Sequence, residues 1–172
     1  MSSHPGPDED HVDRMRREWA HARPDLDTEP IEVMARITRI GTRALHQLDR
    51  ALEPRGVSRA EFDLLCVLAR NDRPLRTSEV TAVTMLSGAS TTKQVDRLVR
   101  EGLVQRRAFE RDGRVVLLDL TEAGRELVDQ ELPDRIGREA RFLDGLDEDE
   151  RKTLAALLRR ISVNVEAGER HW

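Results

Sequence analysis

Cysteine is nearly absent from this 172-residue chain. Cys66 stands alone, so no intramolecular disulfide can form, and an intracellular compartment is the expectation. Aromatic residues make up only 3% of the chain. A core drawn mainly from Leu, Val, Ile and Ala favours packed helices over a β-sandwich. No apolar run approaches the length of a membrane span, and the polar, acidic start lacks the features of a signal peptide, so a cytoplasmic protein without a membrane partner is expected. The five histidines, His4, His11, His21, His46 and His171, show no metal-ligand spacing. No Gly-rich phosphate loop is present and no nucleophile sits in a recognisable setting, so neither an enzyme nor a cofactor is expected. An overall excess of cations is missing too: the net charge is -4 and the pI about 5.8, which argues against a globally basic nucleic-acid binder. Internal repeats at solenoid periods are absent.

What is present is enough for one domain with a proper core, since 38% of the residues are hydrophobic. The informative stretch runs from Thr77 to Leu120. It reads as a helix, a tight turn, a second helix and a two-stranded hairpin. Ser87 is placed to cap the second helix and Gly102 to end it in a left-handed conformation. Between them Val95, Leu98 and Val99 share one buried face at helical spacing, while Ser90, Lys93 or Gln94, Arg97 and Arg100 lie on the other side. Hydroxyl, amide and cationic groups on one helix face suit a major groove, where base edges carry donors and acceptors and the flanking phosphates are anionic. The hairpin strands are Leu103 to Arg107 and Val115 to Leu120, with Asp112 and Gly113 at the turn. Arg111 and Arg114 at its tip suit a narrow minor groove, oriented by Asp112; alternatively they are solvated charges on an exposed turn. Local charge supports the first reading. From Ser87 to Arg114 seven cations (Lys93, Arg97, Arg100, Arg106, Arg107, Arg111, Arg114) face four anions (Asp96, Glu101, Glu110, Asp112), a local excess of three. The DNA-contacting candidates are Ser87, Ser90, Thr91, Lys93, Gln94 and Arg97 on the helix, with Arg111, Asp112 and Arg114 on the wing.

The flanks complete a mainly α architecture with a small β wing: a winged helix-turn-helix with N- and C-terminal dimerisation helices. A tail and extra helix occupy 1–29, with Val12, Met15 and Trp19 on one face of a helix from Asp8 to Ala22 that Pro24 ends. The first long helix, Pro30 to Glu53, lies in a segment 30–57 and carries a continuous stripe from Ile31 to Leu52; Pro54 and Gly56 stop it. The reading head spans 58–121. Ser58 and Glu61 form a capping box for a helix whose Phe62, Leu64, Leu65, Val67 and Leu68 are core, with Cys66 packed among them as an inert thiol. In 122–172, Thr121 caps a helix to about Phe142, interrupted or kinked at Pro133, and Asp147 with Glu150 caps a last helix striped by Leu154, Leu157, Leu158, Ile161 and Val165. Such a stripe either folds back on its own domain or pairs with a second copy. A dimer would present two recognition helices to a pseudo-palindromic double-stranded site.

The order of motifs carries a resemblance. After the apolar helix Ser58 to Asn71 come Thr77-Ser78-Glu79-Val80, Val95-Asp96-Arg97-Leu98, Glu101-Gly102-Leu103-Val104, Asp112-Gly113-Arg114 and Leu120-Thr121-Glu122-Ala123-Gly124. From Pro30 onward the chain resembles the MarR family of winged helix-turn-helix transcriptional regulators. The resemblance implies a homodimer that binds operator DNA and by default represses. The extra helix with Trp19 is similar to the urate-responsive branch and its relatives that sense small carboxylates. That likeness implies an anion pocket of Trp19, Asp63 and the wing-base Arg106, in which an indole stacks on a planar anion and a guanidinium grips it. Gln94 departs from the branch, standing where a recognition-helix arginine is implied, so the effector is left open between urate and a small carboxylate. The reading beside it is that Trp19 anchors its helix, Asp63 is solvated and Arg106 meets phosphate. Two other functions stay open: a zinc-responsive regulator of the same type, and a winged-helix interaction module that does not bind DNA.

Overall fold

In the computed structural model the described residues are 9–84, 86–109 and 112–169. Helix α1, His11–Ala22, begins where Asp10 caps it: the Asp10 carboxylate accepts from the amides of Val12 (2.7 Å) and Asp13 (3.0 Å), and Asp13 returns the bond to the Asp10 amide (3.0 Å). The expected start at Asp8 lies outside the described residues. Helix α1 packs along α2, Glu29–Leu52. Arg36 of α2 grips both Asp10 (2.8 Å) and Asp13 (2.7 Å), and Arg16 of α1 pairs with Glu32. Val12 is buried in the seam, whereas Trp19 is 44% exposed.

The stripe on α2 is only partly buried. Leu48 and Leu52 enter the core, while Met34 and Ile40 stay exposed. Pro54 and Gly56 stop α2 as expected: the α-helix ends at Leu52, Glu53–Arg55 form a 3-10 turn, and Gly56, at φ 67°, closes it. Helix α3, Arg59–Ala69, carries the expected capping box, with the Ser58 amide donating to Glu61 (2.7 Å) and the Glu61 amide to Ser58 Oγ (3.3 Å). Phe62, Leu64 and Leu65 from α3 form the centre of the core with Val80, Val95, Leu98, Val104, Leu118 and Leu120. Cys66 is half-buried rather than enclosed.

The reading head is α4, Thr77–Val83, and α5, Gly88–Arg100, followed by β2, Val104–Phe109, and β3, Asp112–Leu120. The sheet has three strands, not two. Leu75–Arg76, β1, pairs antiparallel with β3 (Leu75 opposite Leu118), giving the order β1-β3-β2. Two residues are too few to show an alternating pattern, so this strand exists only through its partner. Within the hairpin Val104 faces Leu120 and Arg106 faces Leu118.

Helix α6, Glu122–Ala140, is capped by Thr121, whose Oγ accepts from the Gly124 amide (3.1 Å). It runs through Pro133 and ends before a 3-10 turn at Arg141–Leu143, so the expected interruption is not found. Pro133 and Asp129, whose carbonyl loses a donor, are both exposed. The chain divides into two compact units, Met1–Gly124 and Arg125–Trp172. The second ends in α7, Glu148–Glu169, opened by the expected capping box of Asp147 and Glu150 (both bonds 2.9 Å). Its stripe is exposed: Leu154 37%, Leu157 49%, Leu158 39% and Val165 52%. Among the described residues no helix is long and apolar enough to cross a membrane.

Candidate nucleic-acid interface

Both ends of α5 are fixed by local chemistry. At its start Ser87 Oγ accepts from the Ser90 amide (3.2 Å). At its end the Leu103 amide reaches back to Leu98 O (2.9 Å) and the Gly102 amide to Val99 O (3.1 Å), a pattern that needs a left-handed residue, supplied by Gly102 at φ 73°. The chain then enters β2 directly, so the wing is rooted in the end of the recognition helix.

Burial sorts the candidates on α5. Thr91 shares the buried face with Val95 and Leu98 and is wholly inaccessible; its hydroxyl donates to Ser87 O (3.1 Å). This corrects the inclusion of Thr91 among the DNA contacts, since a side chain inside the core cannot touch a base. Lys93 is exposed, and Ser90 and Gln94 are half-buried. Thr92 is exposed on the same side, an omission that the spacing of 92, 93, 96 and 100 could have revealed. Its hydroxyl donates to Gly88 O (3.0 Å).

Arg97 has a second employment. Its guanidinium turns back to Gly56 O (2.8 Å) and lies 3.3 Å from Glu61 Oε1, a carboxylate only 1% exposed. Glu61 otherwise accepts from Ser58 through its other oxygen, so Arg97 supplies a countercharge to a buried anion. Across the helix, Asp96 accepts from Arg106 at the base of the wing, and Arg107 pairs with Asp119 (3.1 Å). Helix α4 is oriented by Glu79, which accepts from the Arg76 amide (2.8 Å) and binds Arg73 (2.5 Å). The Arg73 guanidinium, with the Arg76 amide, lowers the Glu79 carboxyl from 4.5 to about 2.

Arg111 lies outside the described residues, and Asp112 and Arg114 fall on β3. Of the expected ligand residues, Trp19 is exposed on α1, Asp63 is half-buried on α3, and Arg106 is on β2 beside Asp96. Asp63 has an interaction of its own. Among the described residues no group of three or more His, Cys, Asp or Glu side chains is placed to hold a metal ion.

Comparison with known proteins places this architecture. The MarR family model matches residues 55–115, the reading head through the wing. The chain is 31% identical over 147 residues to the HTH-type transcriptional regulator PecS of Dickeya dadantii, covering 84% of this chain and 89% of PecS. It is 26% identical over 151 residues to the HTH-type transcriptional repressor YetL of Bacillus subtilis, covering 85% and 90% of the two chains. A solved structure of Bordetella bronchiseptica BpsR, whose DNA binding is regulated by 6-hydroxynicotinic acid, superposes with a TM-score of 0.67 at 25% identity, over 80% of this chain and 96% of BpsR. These relatives are regulators, not enzymes. The capped recognition helix, the wing rooted in its end and the likeness to PecS over most of both chains agree: this chain belongs to the MarR family of transcriptional regulators.

Proposed function

We propose that the protein acts as a homodimeric repressor that lays α5 in successive major grooves of a pseudo-palindromic operator and is released by a small anionic or aromatic effector. The observation that carries the DNA half is α5 itself, capped by Ser87, closed by Gly102, buried through Val95 and Leu98, and exposed at Thr92, Lys93 and Arg100. Ser90, Lys93 and Gln94 read the groove, Ser87 lies nearest the backbone phosphates, and Arg111 and Arg114, with Asp112, serve the minor groove. The exposed stripes of α2 and α7 favour pairing between two copies, with 30–57 and 122–172 as the dimerisation segments and 58–121 as the reading head.

The effector half rests on Arg106. This guanidinium bonds Asp96 on the recognition helix, so an anion held between Trp19, Asp63 and Arg106 competes with Asp96 for it. An Asp96 deprived of this partner places negative charge beside the DNA phosphates and loosens the wing from α5. The effector acts only through this difference between the two conformers. The regulation of BpsR by 6-hydroxynicotinic acid supports a planar anion, and the name of YetL supports repression.

The test is a fluorescence-anisotropy titration of the purified chain on its own upstream DNA, with and without urate and small carboxylates. Tight, salt-dependent binding released by one of these anions is the expected result. Binding that none of them disturbs would remove the Trp19 pocket, and absence of salt-dependent binding to any duplex would favour an interaction module.

A further inference from the structure

Glu61 carries a charge that its helix does not need. As the third residue of α3 it closes the capping box on Ser58, and that box forms with glutamate or glutamine alike. Its Oε2 accepts from the Ser58 amide (2.7 Å) and hydroxyl (2.8 Å). Its Oε1 is buried, accepts no hydrogen bond among the described residues, and lies 3.3 Å from the Arg97 guanidinium. The residue is only 1% exposed, so water cannot stand in for a missing countercharge. Arg97 reaches it from the last turn of α5, and the other terminal nitrogen of the guanidinium donates to Gly56 O (2.8 Å) in the turn after α2. One planar fork thus joins the recognition helix to two separate segments.

We propose that Glu61 and Arg97 determine which DNA sequence the protein prefers without touching DNA: as positioning residues they hold the pose in which α5 enters the groove. Lys93, one turn earlier on the same side of α5 and exposed, can neutralise a phosphate at no internal cost. Arg97 cannot do the same, because moving to a phosphate strands the Glu61 carboxylate inside the protein without a partner. Sequence is read at base edges, where contacts fail when the helix shifts, whereas attraction to the phosphates tolerates a shift. The pair therefore acts on sequence discrimination and leaves general duplex binding alone. This role rests on α5 being the DNA-reading helix and needs neither a dimer nor an effector.

Selection from a random-sequence duplex pool by the full chain supplies a preferred site. Anisotropy titrations on that site and on a scrambled duplex, at several salt concentrations and below the melting temperature of each variant, then separate positioning from contact and from lost stability. Glu61→Gln and Arg97→Lys should each lose about tenfold or more on the preferred site, keep their affinity for the scrambled duplex within about twofold, and keep the salt slope. Arg97→Lys retains the charge but not the fork, so a phosphate-contacting Arg97 would survive it. The double variant Glu61→Gln/Arg97→Lys should be no worse than either single one, because the two residues act as a unit. Lys93→Ala should instead weaken binding to both duplexes and lower the slope by about 1. If Arg97→Ala behaves like Lys93→Ala, Arg97 is a phosphate contact and the proposal is overturned. An undiminished preference in both Glu61→Gln and Arg97→Lys would overturn it as well. A pool that yields no preferred duplex would instead deny α5 its reading role, an outcome distinct from these.

Discussion

Replacing Gly124 with alanine should destabilise the fold, whereas the same change at Gly137 on the same helix should stabilise it. A Cβ on Gly124 would lie 2.1 Å from the carbonyl oxygen of Leu103 and 3.2 Å from Cδ2 of Leu120; one at Gly137 meets nothing within 4 Å. The Leu103 oxygen is backbone and cannot swing aside. It also accepts from the Thr121 amide (3.1 Å), and Thr121 Oγ donates to Gly102 O (2.7 Å), so moving α6 away strains the bonds that join it to the foot of the wing. Overpacking of this kind costs about 1–3 kcal/mol, and each weakened bond about 1 kcal/mol. Against this stands the helical preference for alanine, about 0.5–1 kcal/mol. The net for Gly124→Ala is a loss of about 2 kcal/mol, or about 4–8 °C in Tm for a chain of this size. Gly137→Ala keeps only the gain, about 1–4 °C upward. Thermal melts followed by circular dichroism at one protein concentration read both. Shifts of the same sign would refute the argument that close backbone approach, and not chain flexibility, requires glycine at 124.

Lys93→Ala should weaken operator binding and reduce the salt slope by about 1 without moving the urea midpoint, because this ammonium is exposed and its removal deletes about one phosphate contact. Arg97→Ala should lower both DNA affinity and stability, the latter by about 1–3 kcal/mol, since it strips the countercharge from buried Glu61; an unchanged denaturation midpoint would deny Arg97 its structural part. Trp19→Ala should remove release by the effector and leave operator affinity intact, at a stability loss of about 1–2 kcal/mol for a side chain only half withdrawn from water; global unfolding would instead make Trp19 a packing residue. Glu79 predicts acid behaviour. Its carboxyl is depressed to about 2, chiefly by Arg73, so its contribution is complete above the ordinary 4.5 and is lost as pH falls from there through about 2. Amide exchange in α4 should quicken over that window in the native chain and show a flatter pH response in Glu79→Gln.

Local signals were the most legible part of this sequence. The Ser58–Glu61 and Asp147–Glu150 capping boxes, the Ser87 cap and the Gly102 terminus are each written within a few residues, and all four stand where expected. Strand β1 was not legible because two residues have no period and depend on distant Leu117 and Leu118 for their conformation. Thr91 was misassigned although the signal was available: with Val95 and Leu98 it falls at the spacings of one buried face. Polarity alone suggested an outward hydroxyl, but the hydroxyl is satisfied by Ser87 O within the helix, which lets the residue be buried. The partners of Arg97 were beyond local reading, since Gly56 and Glu61 come beside it only when α3 packs on α5. At Pro133 the expectation named an interruption or a kink, and the helix runs on without the interruption.

Two charged pairs tie α5 to the wing on one side and to the turn after α2 on the other. Asp96 faces the wing and Arg97 faces the turn that follows α2, and these neighbours in sequence project to different sides because successive helical residues are about 100° apart. A change in the wing therefore acts on α5 through a solvent-accessible pair, Asp96 with Arg106, which exchanges readily and is weak in water. A change in the end of α2 acts through Gly56 and the buried Glu61, where separating the charges is costly. This asymmetry separates the two contacts. The inner pair fixes α5 to the body, while under the proposed function the outer pair is the one that a small anion would open at modest cost.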